Sequence, residues 1–363
     1  MSIAYLEIEA AGSHREIGRQ IGEAARPLIV AGIAYYEEYH EAMGGISFAA
    51  AEQEALAYLP PARAALPGVV AELEGMAEGA GVPLSRLLVP NLGEELTCNA
   101  DPGAATPAPL AGRGEHCTTV GARAGGRCLL GHNEDWWAGD VDKNVLLRLT
   151  TDDGTQILAM TSACLLPPTG INSYGVATGG NTLYADDQRV GVPNNFVRRH
   201  LLESRSLADA RERALLPTRA RGSNHTLVDA GGALLDIETS ATRAALIPGG
   251  DRLVHTNHFV DPAMVDRELS TSTGTRRRAA RARALLDAGL ARGDDLAELL
   301  QAILSDHDGK AEGASICGHP DPGLPVGERD MTTASMIWDP CELTVAVCAG
   351  PPCQNERRLF SLR

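Results

Sequence analysis

The sequence pattern with the most chemical content is Cys117-Thr118-Thr119-Val120, a thiol followed by β-branched residues. Such residues predict a strand, and Arg127–Gly131 predicts the next strand of a hairpin, which ends in His132-Asn133-Glu134-Asp135-Trp136. A thiol acts as a nucleophile when it is a thiolate, which a nearby amine or cation favours. If the chain is cut before Cys117, the new α-amino group, with a reference pKa of about 8, can serve as the base.

The segment before this cysteine suits such a cut. Residues 101–114 are small residues, prolines and glycines, which predict an exposed loop. We therefore predict self-cleavage between His116 and Cys117, leaving fragments 1–116 and 117–363 that stay associated. The alternative is a core thiol, because cysteine is among the most buried residue types and the chain has eight.

Three polar residues on the second strand of the hairpin are candidates for the same site. Asp135 lies on the strand predicted to pair with that of Cys117, and it either acts there or caps a turn. Asn133, two residues earlier, shares its face, which favours a polar pocket. Glu134 either pairs with a cationic amine of a substrate or faces solvent on the other side of the strand.

A second polar cluster follows much later, at His255-Thr256-Asn257-His258-Phe259. The Asn257 side chain can donate to a developing oxyanion, or it can form a turn before Asp261. His255 and His258 have no third ligand at a spacing typical of zinc. We predict no metal and no cofactor.

Together these pieces resemble the isopenicillin N acyltransferase family of N-terminal-nucleophile (Ntn) hydrolases, which includes carcinine hydrolase-like members. The resemblance extends from about residue 65 onward. The matching pieces, in the family's order, are Cys117-Thr118-Thr119, Gly131-x-Asn133-x-Asp135-Trp136, Thr256-Asn257-His258-Phe259, Ala334-Ser335-Met336-Ile337-Trp338-Asp339 and Gly350-Pro351-Pro352-Cys353.

The resemblance implies an α+β fold, the Ntn-hydrolase αββα sandwich of two stacked antiparallel sheets flanked by helices. It implies cleavage at His116-Cys117 and transfer of an acyl group to water or an amine. In that comparison Cys117 is the nucleophile, Asp135 orients the new amino group, Asn257 is the oxyanion donor, and the hydroxyl of Thr119 assists processing. Further residues are expected at the substrate pocket: Asn133, Glu134, Trp136, Asn172 and Asn181.

The chain departs from the family at one position. Many relatives have Ile-Cys-Arg-His where this chain has Ile316-Cys317-Gly318-His319, so the chain lacks a cation that could either neutralise a substrate carboxylate or tune the cysteine. With Glu134 nearby, this favours a small amide that carries an amine. An acyl-CoA-dependent N-acyltransferase is a second interpretation, and an unprocessed binding protein is a third.

Composition excludes some other functions. A formal net charge of −15 argues against nucleic acid as a partner. The run Arg276-Arg277-Arg278 lies in an alanine- and leucine-rich segment and predicts the solvated face of a helix. The amino terminus predicts a strand rather than a signal peptide, and no segment is apolar enough to span a membrane. The cysteines predict reduced thiols in a cytoplasmic protein.

Periodicity predicts how these residues are positioned. The first hundred residues are predicted to be mainly helical, with a break near Pro27. After Cys117 the spacing of apolar residues changes toward a period of two, which is typical of strands. Blocks of strands, then helices, then strands favour two stacked antiparallel sheets over a parallel βαβ fold. We predict one domain over residues 1–363.

Overall fold

The computed structural model describes residues 3–43, 46–98, 117–265, 273–309, 314–325 and 329–362. Its first hundred residues are one strand and a group of helices, as predicted. The break near Pro27 is confirmed, because α1 ends at Ala24 and the next helix begins at Arg26, where proline in the first turn removes no helical hydrogen bond. These elements are β1 (Leu6–Gly12), α1 (His14–Ala24), α2 (Arg26–Met43), α3 (Phe48–Leu56), α4 (Leu59–Ala65), α5 (Pro67–Ala80), α6 (Leu84–Asn91) and α7 (Gly93–Cys98).

After residue 117 the chain forms mainly strands, and they assemble into two sheets. The remaining elements are β2 (Thr118–Ala124), β3 (Arg127–Trp137), β4 (Asn144–Thr151), β5 (Gln156–Ser162), β6 (Gly170–Asn172), β7 (Val176–Thr182), α8 (Asn194–Leu201), α9 (Leu207–Ala214), β8 (Ser223–Asp229), β9 (Leu234–Thr239), β10 (Ala244–Pro248), β11 (Arg252–His255), α10 (Thr273–Arg292), α11 (Leu296–Leu304), β12 (Asp330–Asp339), β13 (Thr344–Ala349) and β14 (Arg358–Ser361). A 3-10 helix, Ala138–Lys143, joins β3 to β4.

The larger sheet has the order β1-β4-β5-β6-β7-β8-β9-β10, and the smaller has the order β11-β2-β3-β12-β13-β14. All pairings in the two sheets are antiparallel except the parallel pairing of β1 with β4. Each sheet buries both faces, so most strands are apolar on both sides.

The sheets stack face to face and helices cover both outer faces, which confirms the predicted αββα sandwich. Leu130, Met336 and Trp338 of the smaller sheet pack against Leu158 and Val228 of the larger sheet. Helices α10 and α11 cover the outside of the smaller sheet, and α8 and α9 cover β8 and β9. Among the described residues, the structure contains no helix both long and apolar enough to cross a membrane.

Helices α1 and α5 pack side by side with their backbones in close contact. Gly18 and Gly22 of α1 lie against the backbone of α5, and Gly75 and Gly79 of α5 lie against the backbone of α1. A Cβ atom added at Gly75 would lie 2.2 Å from the carbonyl oxygen of Arg15, which is backbone and cannot rotate away. We expect Gly75→Ala to lower the free energy of unfolding by about 1–3 kcal/mol, the usual cost of overpacking a close contact.

Urea denaturation of the variant and the wild type measures this difference. Glu78→Ala, on an exposed part of the same helix, is the control, and its effect is expected to stay within about 0.5 kcal/mol. Equal stability of Gly75→Ala and wild type would show that the helices can separate without cost.

Candidate active site

Strand pairing places Cys117 beside the polar end of β3. Thr118 pairs with Asn133, and Thr119 pairs with His132. Because side chains alternate along a strand, Cys117 and Thr119 share the face of His132 and Glu134, which points toward the larger sheet. Thr118 and Asp135 lie on the opposite face, toward α10 and α11. The hairpin thus carries polar groups on both faces at one end.

The Cys117 thiol is buried and contacts a carboxylate. Its Sγ lies 3.5 Å from Glu134 Oε1 and 3.7 Å from the carbonyl oxygen of Asp135, so the thiol can donate to either oxygen. Burial and the charges of Glu134 and Asp135 raise the pKa of Cys117 well above its usual value, while Arg198 acts in the opposite direction. In the uncleaved chain the thiol is therefore protonated, and its reaction requires a base.

A chain of polar side chains continues from Glu134 into the space between the sheets. His132 Nε2 lies 3.2 Å from Glu134 Oε2, and His132 Nδ1 lies 2.9 Å from Thr119 Oγ1. The Thr119 hydroxyl in turn donates to Asn181 Oδ1 at 2.9 Å. Burial raises the pKa of Glu134, but His132, Arg198 and Cys117 outweigh it, so the net shift is downward. Glu134 is thus an anion that faces the site, not solvent.

Asp135 is a buried carboxyl with one oxygen engaged. Thr332 donates its hydroxyl to Asp135 Oδ1, whereas Oδ2 has no hydrogen-bond partner in the described part of the chain. Burial raises the pKa of Asp135 to about 8, against the opposing effects of Thr332 and Arg278. A buried carboxyl with a free oxygen is suited to receive a cation, and an ammonium is one such cation.

Asn257 is held in one orientation by an arginine that the sequence analysis placed at the surface. Arg278 Nη2 donates to Asn257 Oδ1 at 2.9 Å, and the Asn257 amide NH₂ faces the Thr182 carbonyl oxygen at 3.3 Å. With its oxygen bound to Arg278, the amide presents its NH₂ as the remaining donor. Asn181 has a comparable donor, since its buried Nδ2 has no partner among the described residues.

Arg278 corrects the prediction that the arginine run is a solvated helix face. Arg276 and Arg277 are exposed, but Arg278 is fully buried. Arg278 lies on the buried face of α10 together with Thr275 and Ala282. Their spacing is helical, so the periodicity of the sequence could have indicated this burial. Burial lowers the pKa of Arg278, while the charges of Asp135, Cys117 and Asp330 act in the opposite direction.

Gly318, where many relatives have arginine, packs tightly against β12. A Cβ atom there would lie 3.1 Å from the backbone nitrogen of Thr332. Arg278 brings a guanidinium close to Asp135 and Cys117 from a different element, so the site has a cation although position 318 has none.

A cavity opens beside Glu134. Trp136 forms part of its wall and donates its Nε1 hydrogen to the Tyr36 hydroxyl at 2.9 Å. The charged residues that line the cavity are four acidic residues and one arginine: Glu94, Glu95, Glu134, Asp140 and Arg198. This excess of negative charge suits a cationic group.

Two of the predicted pocket residues lie elsewhere. Asn133 is fully buried on the helix side of β3, where its amide donates to the carbonyl oxygens of Leu304 and Ile316. Asn172 donates to the carbonyl oxygens of Leu202 and Ser204. Both side chains hold backbone segments in place, so the structure does not bring them to the cavity. Asn133 and Asp135 do lie on the same face of β3, as predicted, but that face is turned toward α11 and not toward the cavity.

His132, Arg198 and Glu95 also lie at the site, although the sequence did not predict them there. His132 lies within the polar run at the end of β3, but its neighbours Thr119 and Glu134 become visible only with the strand register. Arg198 and Glu95 are far from Cys117 in sequence, and no spacing rule connects them to it. The predicted loop 101–114 and His116 lie outside the described residues.

A protein-family model matches just over half of the chain. The family model described as Acyl-coenzyme A:6-aminopenicillanic acid acyl-transferase matches residues 122–317, which are 196 of the 363 residues. No curated protein matches the chain significantly. One similar solved structure is a mutant of conjugated bile acid hydrolase from Clostridium perfringens, with 13% identity, a TM-score of 0.44, and coverage of 68% of this chain and 97% of that chain. Another is penicillin V acylase from Agrobacterium tumefaciens, with 14% identity, a TM-score of 0.43, and coverage of 64% and 82%.

Proposed function

This chain belongs to the acyl-coenzyme A:6-aminopenicillanic acid acyl-transferase family, and we propose that it activates itself by cutting the peptide bond before Cys117. As a member of that family it is an Ntn-type enzyme that hydrolyses amides or transfers their acyl groups. The observation that carries the proposal is the position of the thiol. Cys117 immediately precedes β2, contacts Glu134, and lies beside a cavity that Glu134 lines.

Self-cleavage requires a base before any α-amine exists, and Glu134 is placed for it. Its Oε1 accepts the thiol proton over 3.5 Å, and the thiolate attacks the carbonyl carbon of His116. The peptide nitrogen of Cys117 leaves with a proton and becomes the free α-amine, while the carbonyl forms a thioester with Sγ. Water hydrolyses the thioester, which releases the carboxylate of residue 116 and restores the thiol.

In the cleaved enzyme the α-amine takes over as the base for the thiol. The free oxygen of Asp135 is available to receive this group when it is protonated. The thiolate attacks the substrate amide, and the NH₂ groups of Asn257 and Asn181 donate to the negative oxygen of the tetrahedral intermediate. The amine product leaves, and water or a second amine resolves the acyl-enzyme.

The substrate class follows from the charge of the cavity. Glu94 forms an ion pair with Arg221 at 3.2 Å and accepts a hydrogen bond from the side-chain amide of Asn194. Glu95 receives a backbone N–H from Asn194, and burial raises the pKa of Glu95 to about 7. A buried carboxylate that has too little positive charge around it favours a ligand that brings a positive charge. We propose a small amide that carries a free amine, such as an aminoacyl or β-alanyl conjugate.

Substitution of Glu95 tests this charge argument. We expect Glu95→Gln to lower kcat/KM at pH 8 about fivefold to tenfold for an amide with a free amine, the effect of losing roughly 1 kcal/mol of ion pairing. The same amide with its amine acetylated is the matched control and is expected to change little. Because the group is charged only above its pKa, the wild-type preference for the amine is expected to rise from pH 6 to pH 8. Equal losses for both substrates, or a preference that does not change with pH, would exclude Glu95 as the binding group.

The overall proposal is tested by denaturing electrophoresis and mass spectrometry of the purified protein. We expect two fragments that separate only under denaturing conditions, the larger beginning at Cys117. A screen of aminoacyl and N-acyl amines then identifies the substrate. A single intact chain that is nevertheless active would disprove self-activation.

The description of the matching family favours a second candidate, acyl transfer from acyl-CoA to an amine. Both reactions pass through an acyl-enzyme on the thiol. They differ in the acyl donor, which is an amide in the first and acyl-CoA in the second. The same screen, repeated with acyl-CoA and a free amine, separates the two. Formation of an amide with release of free CoA thiol supports transfer, and hydrolysis alone supports the amidohydrolase.

A further inference from the structure

Two histidines and two cysteines converge at a point that the proposed chemistry does not use. His307 follows α11, Cys317 and His319 lie in segment 314–325 before β12, and Cys353 follows β13. One potential ligand atom from each, two imidazole nitrogens and two sulfurs, lies within 4.8 Å of the others. Three separate segments of the chain thus bring four metal-binding side chains together.

Four of the six distances between these atoms are close to the edges of a tetrahedron around one ion. With Zn–S near 2.3 Å and Zn–N near 2.0 Å, ideal edges are about 3.8 Å for S···S, about 3.5 Å for S···N and about 3.3 Å for N···N. The observed distances are 3.7 Å for Cys317 Sγ to Cys353 Sγ, 3.7 and 3.2 Å from these sulfurs to His319 Nε2, and 2.9 Å between the Nε2 atoms of His307 and His319.

We propose that His307, Cys317, His319 and Cys353 bind one Zn²⁺ ion. Two sulfurs and two imidazoles in a tetrahedron are the ligand set that selects zinc among the common divalent ions. On binding, each thiol loses its proton to solvent, and the two thiolates neutralise the charge of the ion. All four positions are taken by protein, so the ion is structural and leaves no site for substrate or water.

A disulfide between the two cysteines explains the cluster less well. The Sγ atoms are 3.7 Å apart, whereas a disulfide bond is about 2.05 Å long. A disulfide also gives no reason for two imidazole nitrogens to converge on the same point as both sulfurs.

The zinc site connects to the candidate active site through two hydrogen bonds. Gly318, between the ligands Cys317 and His319, donates its N–H to Thr332 Oγ1 at 2.9 Å. The Thr332 hydroxyl donates to Asp135 Oδ1. Since the ion ties segment 314–325 to α11 and to the loop after β13, it also holds Thr332 and thereby positions Asp135.

The metal content of untagged protein, purified without chelators, tests the proposal directly. We expect about one zinc per wild-type chain by inductively coupled plasma mass spectrometry. After removal of zinc with a chelator, added Co²⁺ is expected to give the intense visible absorption of tetrahedral cobalt with thiolate ligands. Neither measurement requires a variant to fold.

Variants then assign the ligands. We expect Cys353→Ser and His319→Ala to weaken Zn²⁺ binding at least about a hundredfold in competition with a chromogenic chelator, because each removes one of four ligands. Cys341→Ser is the matched control, since Cys341 is a cysteine outside the cluster, and it is expected to keep full zinc content.

Three results would overturn the proposal. The first is wild-type protein that contains no zinc and binds neither added Zn²⁺ nor Co²⁺. The second is a Cys317–Cys353 disulfide in non-reducing peptide mapping of freshly purified protein. The third is equal loss of zinc in Cys341→Ser and Cys353→Ser. None of these measurements depends on self-cleavage or on the substrate.

Discussion

Cys117→Ala is expected to remain a single chain of 363 residues and to have no detectable amidase or acyltransferase activity. The substitution removes the proposed nucleophile of both reactions, the attack on the peptide bond before residue 117 and the attack on the substrate amide. The Cys117 side chain is buried and small, so alanine leaves only a small cavity and the fold is expected to persist. Denaturing electrophoresis and a turnover assay measure the two losses.

Two further variants separate the roles at this position. Cys341→Ser removes a thiol elsewhere and is expected to cleave and turn over like wild type. Glu134→Gln keeps the shape of the side chain that contacts Cys117 but removes the base, so self-cleavage is expected to slow at least about a hundredfold, within the usual range for general-base catalysis. A Cys117→Ala protein that is still cut at residue 116 would show that cleavage comes from another protease.

Asn257→Ala is expected to lower kcat by about 10²–10³, which corresponds to about 2.7–4 kcal/mol of transition-state stabilisation lost with one oxyanion donor. KM is expected to change little, because the negative oxygen develops only after the substrate is bound. Steady-state kinetics on the cleaved protein measure the two parameters. A loss below about tenfold would reassign Asn257 to a structural role.

The contact with Arg278 provides a control for structural damage. Asn257→Ala leaves Arg278 without the oxygen that accepts its hydrogen bond, so a loss of activity alone is ambiguous. Asn257→Asp keeps an acceptor for Arg278 and removes the NH₂ donor. Oxyanion stabilisation predicts a similar fall in kcat for both variants, whereas a purely structural role predicts near-normal activity for Asn257→Asp. Asn181→Ala tests the second donor in the same way.

Much of the fold was predictable because it depends on local periodicity. The change from helical spacing to alternation after Cys117 indicated the helices and then the strands, and Pro27 indicated the break between α1 and α2. The parallel pairing of β1 with β4 was not predictable, because it joins residues about 140 positions apart. Long-range pairing leaves no periodic signal in either strand.

By itself, the sequence determined the chemical groups of the candidate site: a thiol at the head of a strand, carboxylates at the end of the next strand, and an asparagine 140 residues after the thiol. Only the tertiary structure decided which of them meet. It turned Asn133 toward α11, placed Glu134 against Cys117, and buried Arg278 beside Asn257. It also assembled His307, Cys317, His319 and Cys353, whose spacings of 10, 2 and 34 residues match no zinc motif. The physical reason is that strand alternation and sequence spacing fix the direction of side chains only over a few residues. A site forms where separate segments of the chain pack together.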